Sequence, residues 1–251
     1  MGTLKEICLS LDELLQPALF NDFCTNGLQV EGKEKVNFVC VAVSASLNVI
    51  NEAVKLGADV LLVHHGIFWN RDSHDITGVT KKKLKLLLEN DISLLAYHLP
   101  LDAHKVYGNN WKAALDMGWT DLASFPAGDK QPIGVKGKVP AQNFEAFIEK
   151  LKGYYKSNVE FVAGGPREIK TAALVSGGAH KMILDAAREE VDCFITGSRD
   201  EPTWHQSFEN AVNFCAVGHA PSEEIGVHAL EEFLQTKLKV KTHFIKETNP
   251  F

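Results

Sequence analysis

The chain has 251 residues, of which 45% are hydrophobic and 23% are charged, and its formal net charge is −6. This composition is typical of a globular protein, and the length suffices for one large domain or two smaller ones. The negative charge disfavours nucleic acid as a partner, because nucleic-acid-binding proteins usually carry a broad basic surface. No segment approaches the roughly 20 consecutive apolar residues of a membrane-spanning helix, so we expect no membrane span.

The cysteines are odd in number and form no C-x-x-C pair, and three of them lie in apolar segments. This usage predicts reduced, mostly buried thiols, which are typical of a cytoplasmic protein. The cysteines are Cys8, Cys24, Cys40, Cys193 and Cys215.

Continuous apolar runs predict strands that are buried on both faces of a largely parallel sheet, because half-exposed strands alternate instead. Helical stripes, such as Leu47, Ile50 and Val54, lie between these runs and predict helices that pack on the sheet. The apolar runs cover residues 38–43, 60–64, 93–98, 171–176, 193–197 and 213–218.

Strand–helix alternation along the chain predicts an α/β fold. The turn-rich stretch 123–132 predicts the boundary between a first half at 1–125 and a second half at 126–251. Residues 133–139 are predicted to open the second half as a strand, and residues 240–245 to close it as an edge strand. The predicted fold is therefore two pseudo-repeated, mostly parallel-sheet α/β halves with a metal site between them.

One short element occurs twice, each time after an apolar run. His98 to Asp102 reads HLPLD and His219 to Glu223 reads HAPSE, so both are His-x-Pro-x-carboxylate. Upstream of these elements, residues 43–66 align with residues 175–198 when one gap is allowed. The shared motif favours a duplicated unit over the general likeness of any two βαβ units. Because functional groups gather at the carboxyl ends of strands in open α/β sheets, the repeat predicts one metal site with ligands from both halves.

A third strand end carries His64 and His65, followed by Gly66. A single histidine there would more often cap or pack, whereas two in tandem favour binding of a divalent metal. Asp102 has the alternative role of capping the next helix, and Glu223 that of stabilising a helix N-terminus. The imidazole-rich set favours Zn, Fe, Mn or Ni over Mg or Ca.

Asn26 lies in a turn-forming segment before the first core strand, and we expect it close to the metal cleft, where it would hold an outer water or the substrate. The alternative is an Asn-Gly turn that serves the backbone alone.

His205 lies in a helical stretch from which it can approach the same cleft. Residues 175–180 read VSGGAH and can bind an anion on backbone amides, although a tight strand–helix turn needs the same glycines. Four further histidines lack supporting context and are expected to be surface or packing residues: His74, His180, His228 and His243.

At these residues the chain resembles the NIF-three-like family, whose members often carry the name GTP cyclohydrolase I type 2. The resemblance implies a toroidal hexamer of α/β subunits with a two-metal site inside the ring. It implies His64, His65, Asp102, His219 and Glu223 as metal ligands and places His98 just outside them. The matching segments span nearly the whole chain in the family's order and are NGLQV (26–30), HHGIFW (64–69), HLPLDAH (98–104), ITGS (195–198) and GHAPSE (218–223).

The chain departs from the family pattern at a few positions. Ser198 stands where the family commonly has Glu, Trp204 where it often has a second His, and Ser222 where it usually has Thr. The large inserted domain of longer members is absent, since the two halves are joined directly. These departures leave the implied ligands in place and affect the expected proton-transfer groups around residues 198–205.

The favoured functional hypothesis is a dinuclear, metal-dependent hydrolase acting on a small anionic substrate, a nucleotide or another phosphoester. Two divalent ions together carry roughly four positive charges, and Asp102 and Glu223 offset two of them. The remaining positive charge suits an anionic ligand. The alternative is a metal-binding oligomeric assembly, adaptor or metallochaperone-like protein without turnover. Its basis is the small number of acid–base groups beyond the ligands.

Overall fold

The computed structural model describes residues 2–73 and 75–249, so the expectation for His74 lies outside the described residues. The described chain alternates helices and strands and has the predicted α/β class. The helices are α1 (Leu4–Leu15), α2 (Leu47–Leu56), α3 (Gly78–Glu89), α4 (Leu99–Ala103), α5 (Asn109–Asp116), α6 (Phe144–Tyr155), α7 (Ile183–Arg188), α8 (Pro202–Glu209) and α9 (His219–Lys237).

The strands include all six apolar runs, with ends that differ from the prediction by a few residues. They are β1 (Gly2–Thr3), β2 (Gly27–Val30), β3 (Lys35–Val36), β4 (Phe38–Ser44), β5 (Val60–His65), β6 (Ser93–Ala96), β7 (Thr120–Phe125), β8 (Gly134–Asn143), β9 (Glu160–Val162), β10 (Glu168–Val175), β11 (Cys193–Thr196), β12 (Asn213–Ala216) and β13 (Lys241–Phe244).

The described residues form two compact units. The first contains residues 2–101 and 226–248, and the second contains residues 102–225 with Asn249. The chain leaves the first unit inside α4 and returns to it inside α9. These bounds therefore differ from the predicted halves at 1–125 and 126–251, because one continuous helix carries the last part of the chain back to the first unit.

The first unit contains a five-stranded sheet in the order β13-β4-β5-β6-β2. The first four of these strands run parallel, and β2 pairs antiparallel with β6 at one edge. Alternate residues of β4 pack on opposite faces: Val39 and Val41 lie in a core with α1 and α9, whereas Cys40 and Ala42 lie in a core with α2 and α3. Helices on both faces explain why β4 reads as a continuous apolar run.

The edge strand predicted at 240–245 exists as β13, but it does not close the second half. It pairs in parallel with β4 of the first unit. Its apolar pattern indicates a strand and leaves the partner open, since pairing is decided by where α9 delivers the chain.

The second unit contains a six-stranded sheet in the order β7-β8-β10-β11-β12-β9. Its central strands β10, β11 and β12 run parallel, and β7, β8 and β9 add antiparallel pairs on either side. This sheet is therefore mixed, with a parallel centre. One face packs on α5 and α6, and the other packs on α7.

The predicted repeat extends to individual hydrogen bonds inside each unit. Asp59 Oδ2 accepts hydrogen bonds from the backbone N–H groups of Asn37 and Phe38 at 2.7 and 3.0 Å. Asp192 Oδ2 accepts from the backbone N–H groups of Lys170 and Thr171, both at 2.8 Å. Each aspartate thus ties the start of its βαβ strand pair together, and the two units share one backbone frame.

Across the described residues, no helix combines the length and apolar character that crossing a bilayer requires. The cysteines are all free thiols, and Cys8 alone among them is not fully buried. Burial raises the pKa of both Cys24 and Cys40 to about 11, so these thiols stay protonated at neutral pH.

Candidate metal centre

Three imidazoles meet where β5 and β6 of the first unit end. His64, His65 and His98 each offer a ring nitrogen, and these atoms lie within 4.8 Å of one another. The ring centroids of His64 are 4.7 Å from His65 and 5.0 Å from His98. The carboxyl ends of neighbouring parallel strands meet at one edge of a sheet, which explains how the chain brings these side chains together. Three clustered imidazoles are a donor set that suits a divalent transition metal.

His64 is fully buried, and its ring is fixed by the backbone. Its Nδ1 lies 3.0 Å from the carbonyl oxygen of Tyr97. A carbonyl oxygen only accepts hydrogen bonds, so Nδ1 carries the proton and Nε2 keeps its lone pair. Metal-binding histidines are commonly held in this way, with one nitrogen donating to a carbonyl group and the other binding the metal.

His65 ends β5 and is only partly buried. Its Nδ1 lies 3.0 Å from Ser44 Oγ on the neighbouring strand. The chain then turns at Gly66, where a Cβ atom would lie 2.3 Å from Gln29 Nε2. Gln29 Oε1 in turn accepts a hydrogen bond from Ile67 N at 2.8 Å. A larger residue at position 66 would displace the Gln29 amide group, which packs against the turn and fixes the chain that follows the two histidines.

His98 is held by Asp22, a residue that the sequence did not single out. Asp22 Oδ1 lies 2.8 Å from His98 Nδ1, and Asp22 Oδ2 accepts hydrogen bonds from Leu99 N and Asn26 Nδ2, both at 2.9 Å. Burial alone raises the pKa of the Asp22 carboxyl group, but hydrogen bonds from His98, Asn26 and the Cys24 backbone outweigh it and bring the pKa to about 2. Asp22 is therefore a permanent anion at neutral pH, and it orients the His98 ring.

Asn26 lies directly beside His98. Its Oδ1 accepts a hydrogen bond from the backbone N–H of His98 at 2.7 Å, and its Nδ2 donates to Asp22. The following Gly27 has a φ of +90°, a conformation that glycine adopts readily, so the Asn-Gly pair also serves the backbone. Asn26 thus forms the turn and lies beside the imidazole cluster, as expected, and the expected contact with an outer water or the substrate stays a prediction.

In the second unit, His219 and Glu223 form a pair on the first turns of α9. His219 Nε2 lies 3.1 Å from Glu223 Oε1, the spacing expected of residues i and i+4 on one helix face. Glu223 is buried, with 3% of its surface exposed. On the other side of the ring, Ser198 Oγ lies 3.3 Å from His219 Nδ1. A buried carboxylate next to an imidazole is a second donor pair that suits a divalent metal.

Gly177 gives this pair its space. A Cβ atom at Gly177 would lie 2.4 Å from Glu223 Oε1 and 3.3 Å from His219 Nε2, and Gly177 has a φ of +67°. Its backbone N–H donates to Ser222 Oγ at 2.9 Å. Ala179 N also has a partner, since it donates to Thr196 Oγ1 at 3.2 Å. The glycines of VSGGAH therefore serve close packing against α9, and two of the amides proposed for anion binding are already used.

Asp102 is buried in a polar network of the second unit. Its Oδ1 accepts hydrogen bonds from Ser176 Oγ and Asn109 Nδ2, both at 2.8 Å. The N-cap of the following helix α5 is Gly108, and Asp102 lies inside α4, so the capping role considered for Asp102 is not the arrangement observed. Because Ser176 precedes Gly177 in the chain, Asp102 and Glu223 contact consecutive residues of one turn.

The two His-x-Pro-x-carboxylate elements are offset by one residue relative to the strands before them. Tyr97 N donates to Val63 O, and Val217 N donates to Thr196 O, which makes Tyr97 equivalent to Val217. His98 is then equivalent to Gly218, and the expected equivalence of His98 with His219 is wrong by one position. The physical reason is the extra Gly218, whose φ of +94° precedes α9. His98 precedes its helix, whereas His219 is the first residue of its helix.

His205 lies on α8 with 58% of its side chain exposed, and its Nε2 is 3.5 Å from Glu201 Oε1. In the described part of the chain, His205 belongs to neither donor set described above. Its ring packs edge-on against Trp204, with the centroids 5.2 Å apart.

The residues that sequence reasoning missed are Asp22, Ser176 and Asn109. Only the spacing Asp22-x-Cys24-x-Asn26, typical of a polar turn, gave a signal for the first of them.

The chain is similar to a known protein family and to individual relatives that carry one name. The family model described as Duf34/NIF3 (NGG1p interacting factor 3) matches residues 2–250. The chain belongs to the Duf34/NIF3 family. A relative from Chlamydia pneumoniae named "GTP cyclohydrolase 1 type 2 homolog" is 45% identical over 244 residues, which cover 96% of each chain. The protein of the same name from Escherichia coli K12 is 39% identical over 96% of each chain.

Solved structures show the same fold. A structure of protein ybgI, described as of unknown function, aligns with a TM-score of 0.93 and 36% identity over 99% of this chain and all of that one. The fold and family are thus established together. The histidine and carboxylate donor sets show that this member has groups able to bind a metal ion.

Proposed function

We propose that the protein is a metal-dependent hydrolase whose substrate is a small anionic molecule, a nucleotide or another phosphoester. The observation that carries the proposal is the His64 ring, which is buried and holds its proton on Nδ1 toward the Tyr97 carbonyl group. A buried imidazole fixed in this tautomer, with two more imidazoles beside it, is arranged as a metal ligand. Bound divalent ions would supply Lewis acidity and a more acidic water molecule.

The residues proposed as ligands are His64, His65, Asp102, His219 and Glu223, with Asn26 and His98 supporting them. Three of the five are neutral imidazoles, so the two carboxylates leave net positive charge when two ions bind. That charge favours an anionic substrate. The expectation that both halves supply one dinuclear centre remains a prediction, and metal counting tests it.

The test is hydrolysis of para-nitrophenyl phosphate and of GTP by protein loaded separately with Zn, Mn, Fe or Ni. We expect turnover with at least one metal, and we expect His64→Ala to abolish it, because His64 is one of the proposed ligands. His228→Ala is the matched control, since His228 is exposed and pairs with Glu231 away from the donor sets. Absence of turnover with all four metals, in protein shown to contain metal, would exclude the hydrolase.

A second candidate is a metal-binding assembly or metallochaperone-like protein without turnover. The observation in its favour is Asp22. With a pKa of about 2 and its oxygens engaged by His98, Leu99 and Asn26, it is a poor acid or base at neutral pH. Metal binding that persists without hydrolysis of any phosphoester in the screen would support this candidate.

Two further proposals accompany the function. We propose a homohexamer, on the family resemblance, and light scattering that gives a stable 27.7 kDa monomer at micromolar concentration would exclude it.

We also propose a cytoplasmic location, which the unpaired thiols support, since secreted proteins tend to pair their cysteines in disulfides. Fractionation of cells that express the tagged protein tests this location.

A further inference from the structure

Two aromatic rings lie against His98 at the edge of the imidazole cluster. The Trp69 ring meets His98 in an edge-on arrangement, with the centroids 5.2 Å apart and the planes at 75°. The Phe23 ring lies 5.7 Å from His98, and 52% of the Phe23 surface is exposed. An exposed Phe is common on protein surfaces. Here the exposed Phe23 ring packs against His98 of the imidazole cluster, and the Trp69 ring packs against the same imidazole.

The two loops that carry these rings are paired with each other by backbone hydrogen bonds. Asn70 N donates to Phe23 O at 2.8 Å, and Thr25 N donates to Phe68 O at 3.0 Å. Cys24 and Trp69 form an antiparallel bridge between these bonds. The two aromatic residues are therefore held by a short ladder of backbone pairs and do not depend on packing alone.

Side chains strengthen the same arrangement. Asn70 Nδ2 donates to the carbonyl oxygen of Asp22 at 3.0 Å, so the Trp69 loop is tied to the residue that orients His98. Trp69 Nε1 donates to Gly66 O at 3.1 Å, which satisfies the polar atom of the ring and sets its direction. The Trp69 ring, held in this way, binds a partner with little loss of side-chain entropy, which is the benefit of preorganisation.

A cavity of about 290 Å³ adjoins Trp69, and its wall is mixed: Ile67 and Phe68 lie in it together with polar residues that include Thr25 and Asp72. Trp69 therefore contacts the imidazole cluster and also lines a space that can receive part of a ligand.

We propose that Phe23 and Trp69 bind a planar ring carried by the anionic substrate, so that the substrate is a phosphoester with an aromatic or heteroaromatic ring in its organic part, such as a nucleotide or an aryl ester, and not a purely aliphatic one. This inference rests on the proposed function, because the anionic group of the substrate is taken to bind at the imidazole cluster. The two rings contribute through stacking and edge-to-face contacts with the ring of the substrate. They are specificity-determining residues with no part in bond breaking.

The test uses two phosphonates that differ only in their organic group and that the enzyme cannot hydrolyse at phosphorus. Calorimetric titration of zinc-loaded protein is expected to show phenylphosphonate binding about tenfold more tightly than methylphosphonate, the preference that one or two good aromatic contacts provide. Phe23→Leu and Trp69→Leu should each reduce this preference to about threefold or less, because each weakens phenylphosphonate binding more than methylphosphonate binding.

Phe208→Leu is the matched control. Phe208 is 48% exposed and packs on Trp204 of α8 in the second unit, so this variant should keep the tenfold preference. Equal affinity of the wild-type protein for the two phosphonates would overturn the inference and leave the proposed function standing. An unchanged preference in both variants would also overturn it. If neither phosphonate binds, the anionic substrate of the proposed function fails as well.

Discussion

His64 and Gly197 occupy equivalent positions at strand ends in two copies of one backbone frame. One position carries a large side chain and the other carries none. In the first unit the position holds a buried imidazole. In the second, a Cβ atom at Gly197 would lie 2.7 Å from both Gly177 O and His219 Cα, so there is no room for any side chain. The first unit places its clustered histidines at the ends of β5 and β6, whereas the second places His219 and Glu223 on the first turns of α9.

This difference shows how one frame provides two kinds of donor. In the first unit, the helix after β6 starts at Leu99, and the strand end is open to side chains. In the second unit, Ser222 Oγ accepts a hydrogen bond from Gly177 N, which draws α9 against the strand ends. Glycines at 177 and 197 make that approach possible. The donor type is thus decided by how closely the following helix approaches the sheet.

The largest effect expected on this comparison comes from Gly177→Ala. The new Cβ would overlap Glu223 Oε1 and place a side chain at a φ of +67°. We expect the free energy of unfolding to fall by about 2 kcal/mol and bound metal to decrease, because Glu223 must move. Urea denaturation and elemental analysis measure the two effects.

Gly57→Ala is the control for backbone strain. Gly57 has a φ of +70° at the C-terminus of α2, and among the described residues no heavy atom beyond Gly57 and its chain neighbours lies within 4 Å of the position that a Cβ atom would take there. This substitution should cost about 1 kcal/mol and leave metal content unchanged. Equal metal content in the two variants would show that Gly177 is not needed for the position of Glu223.

A similar cost is expected when the shared frame itself is broken. Asp59→Asn removes the anion that accepts two backbone N–H groups, and we expect a loss of about 2 kcal/mol in unfolding free energy. Lys33→Met should cost less than about 1 kcal/mol, because the Lys33 side chain is 46% exposed and its ion pair with Asp59 is screened. Equal costs would mean that the ion pair, and not the backbone contacts, gives Asp59 its role.

The Asp59 contribution should depend on pH. Burial raises the pKa of this carboxyl group, but hydrogen bonds from Lys33, Asn37 and Phe38 outweigh it, and the pKa in the folded protein is lowered. A lowered folded pKa gives stability that is fully present above the unfolded value of about 3.9 and is lost as pH falls through the folded value. The stability difference between wild type and Asp59→Asn should therefore shrink as pH falls below about 4. A constant difference from about pH 6 to about pH 2 would contradict the assignment.

The smallest expected effect concerns the groups that orient His98 and His219. Asp22→Asn should weaken zinc binding about tenfold, because a buried anion orients His98. Ser198→Ala should weaken it about threefold or less, since its hydroxyl group lies 3.3 Å from His219 Nδ1 and is neutral. Competition with a zinc-binding dye measures both affinities. A larger effect of Ser198→Ala would reverse the ranking.

Local pattern was enough to predict the buried strands and the tandem histidines. Continuous apolar runs specify strands buried on both faces, and His64 and His65 follow such a run directly. The partner of β13 was beyond that reasoning, because strand pairing is set by the path of α9 and not by residues 240–245. Asp22 was missed for a related reason: its role depends on contact with His98, 76 residues later in the chain.

The one-residue offset between His98 and His219 shows a further limit. The two motifs have identical internal spacing, and only the backbone hydrogen bonds of Tyr97 and Val217 show that Gly218 shifts the second motif. Sequence spacing within a motif does not fix its register against the preceding strand.

The most direct test of the central claim is metal content per chain, measured by elemental analysis of wild type, His64→Ala and Glu223→Gln after zinc loading and gel filtration. The claim is that the imidazole cluster and the His219–Glu223 pair both serve metal binding. The predicted result is zinc bound to the wild-type protein and a sharp decrease in each variant, because each removes one donor. Full zinc occupancy in both variants would contradict it and would leave the clustered side chains a structural role.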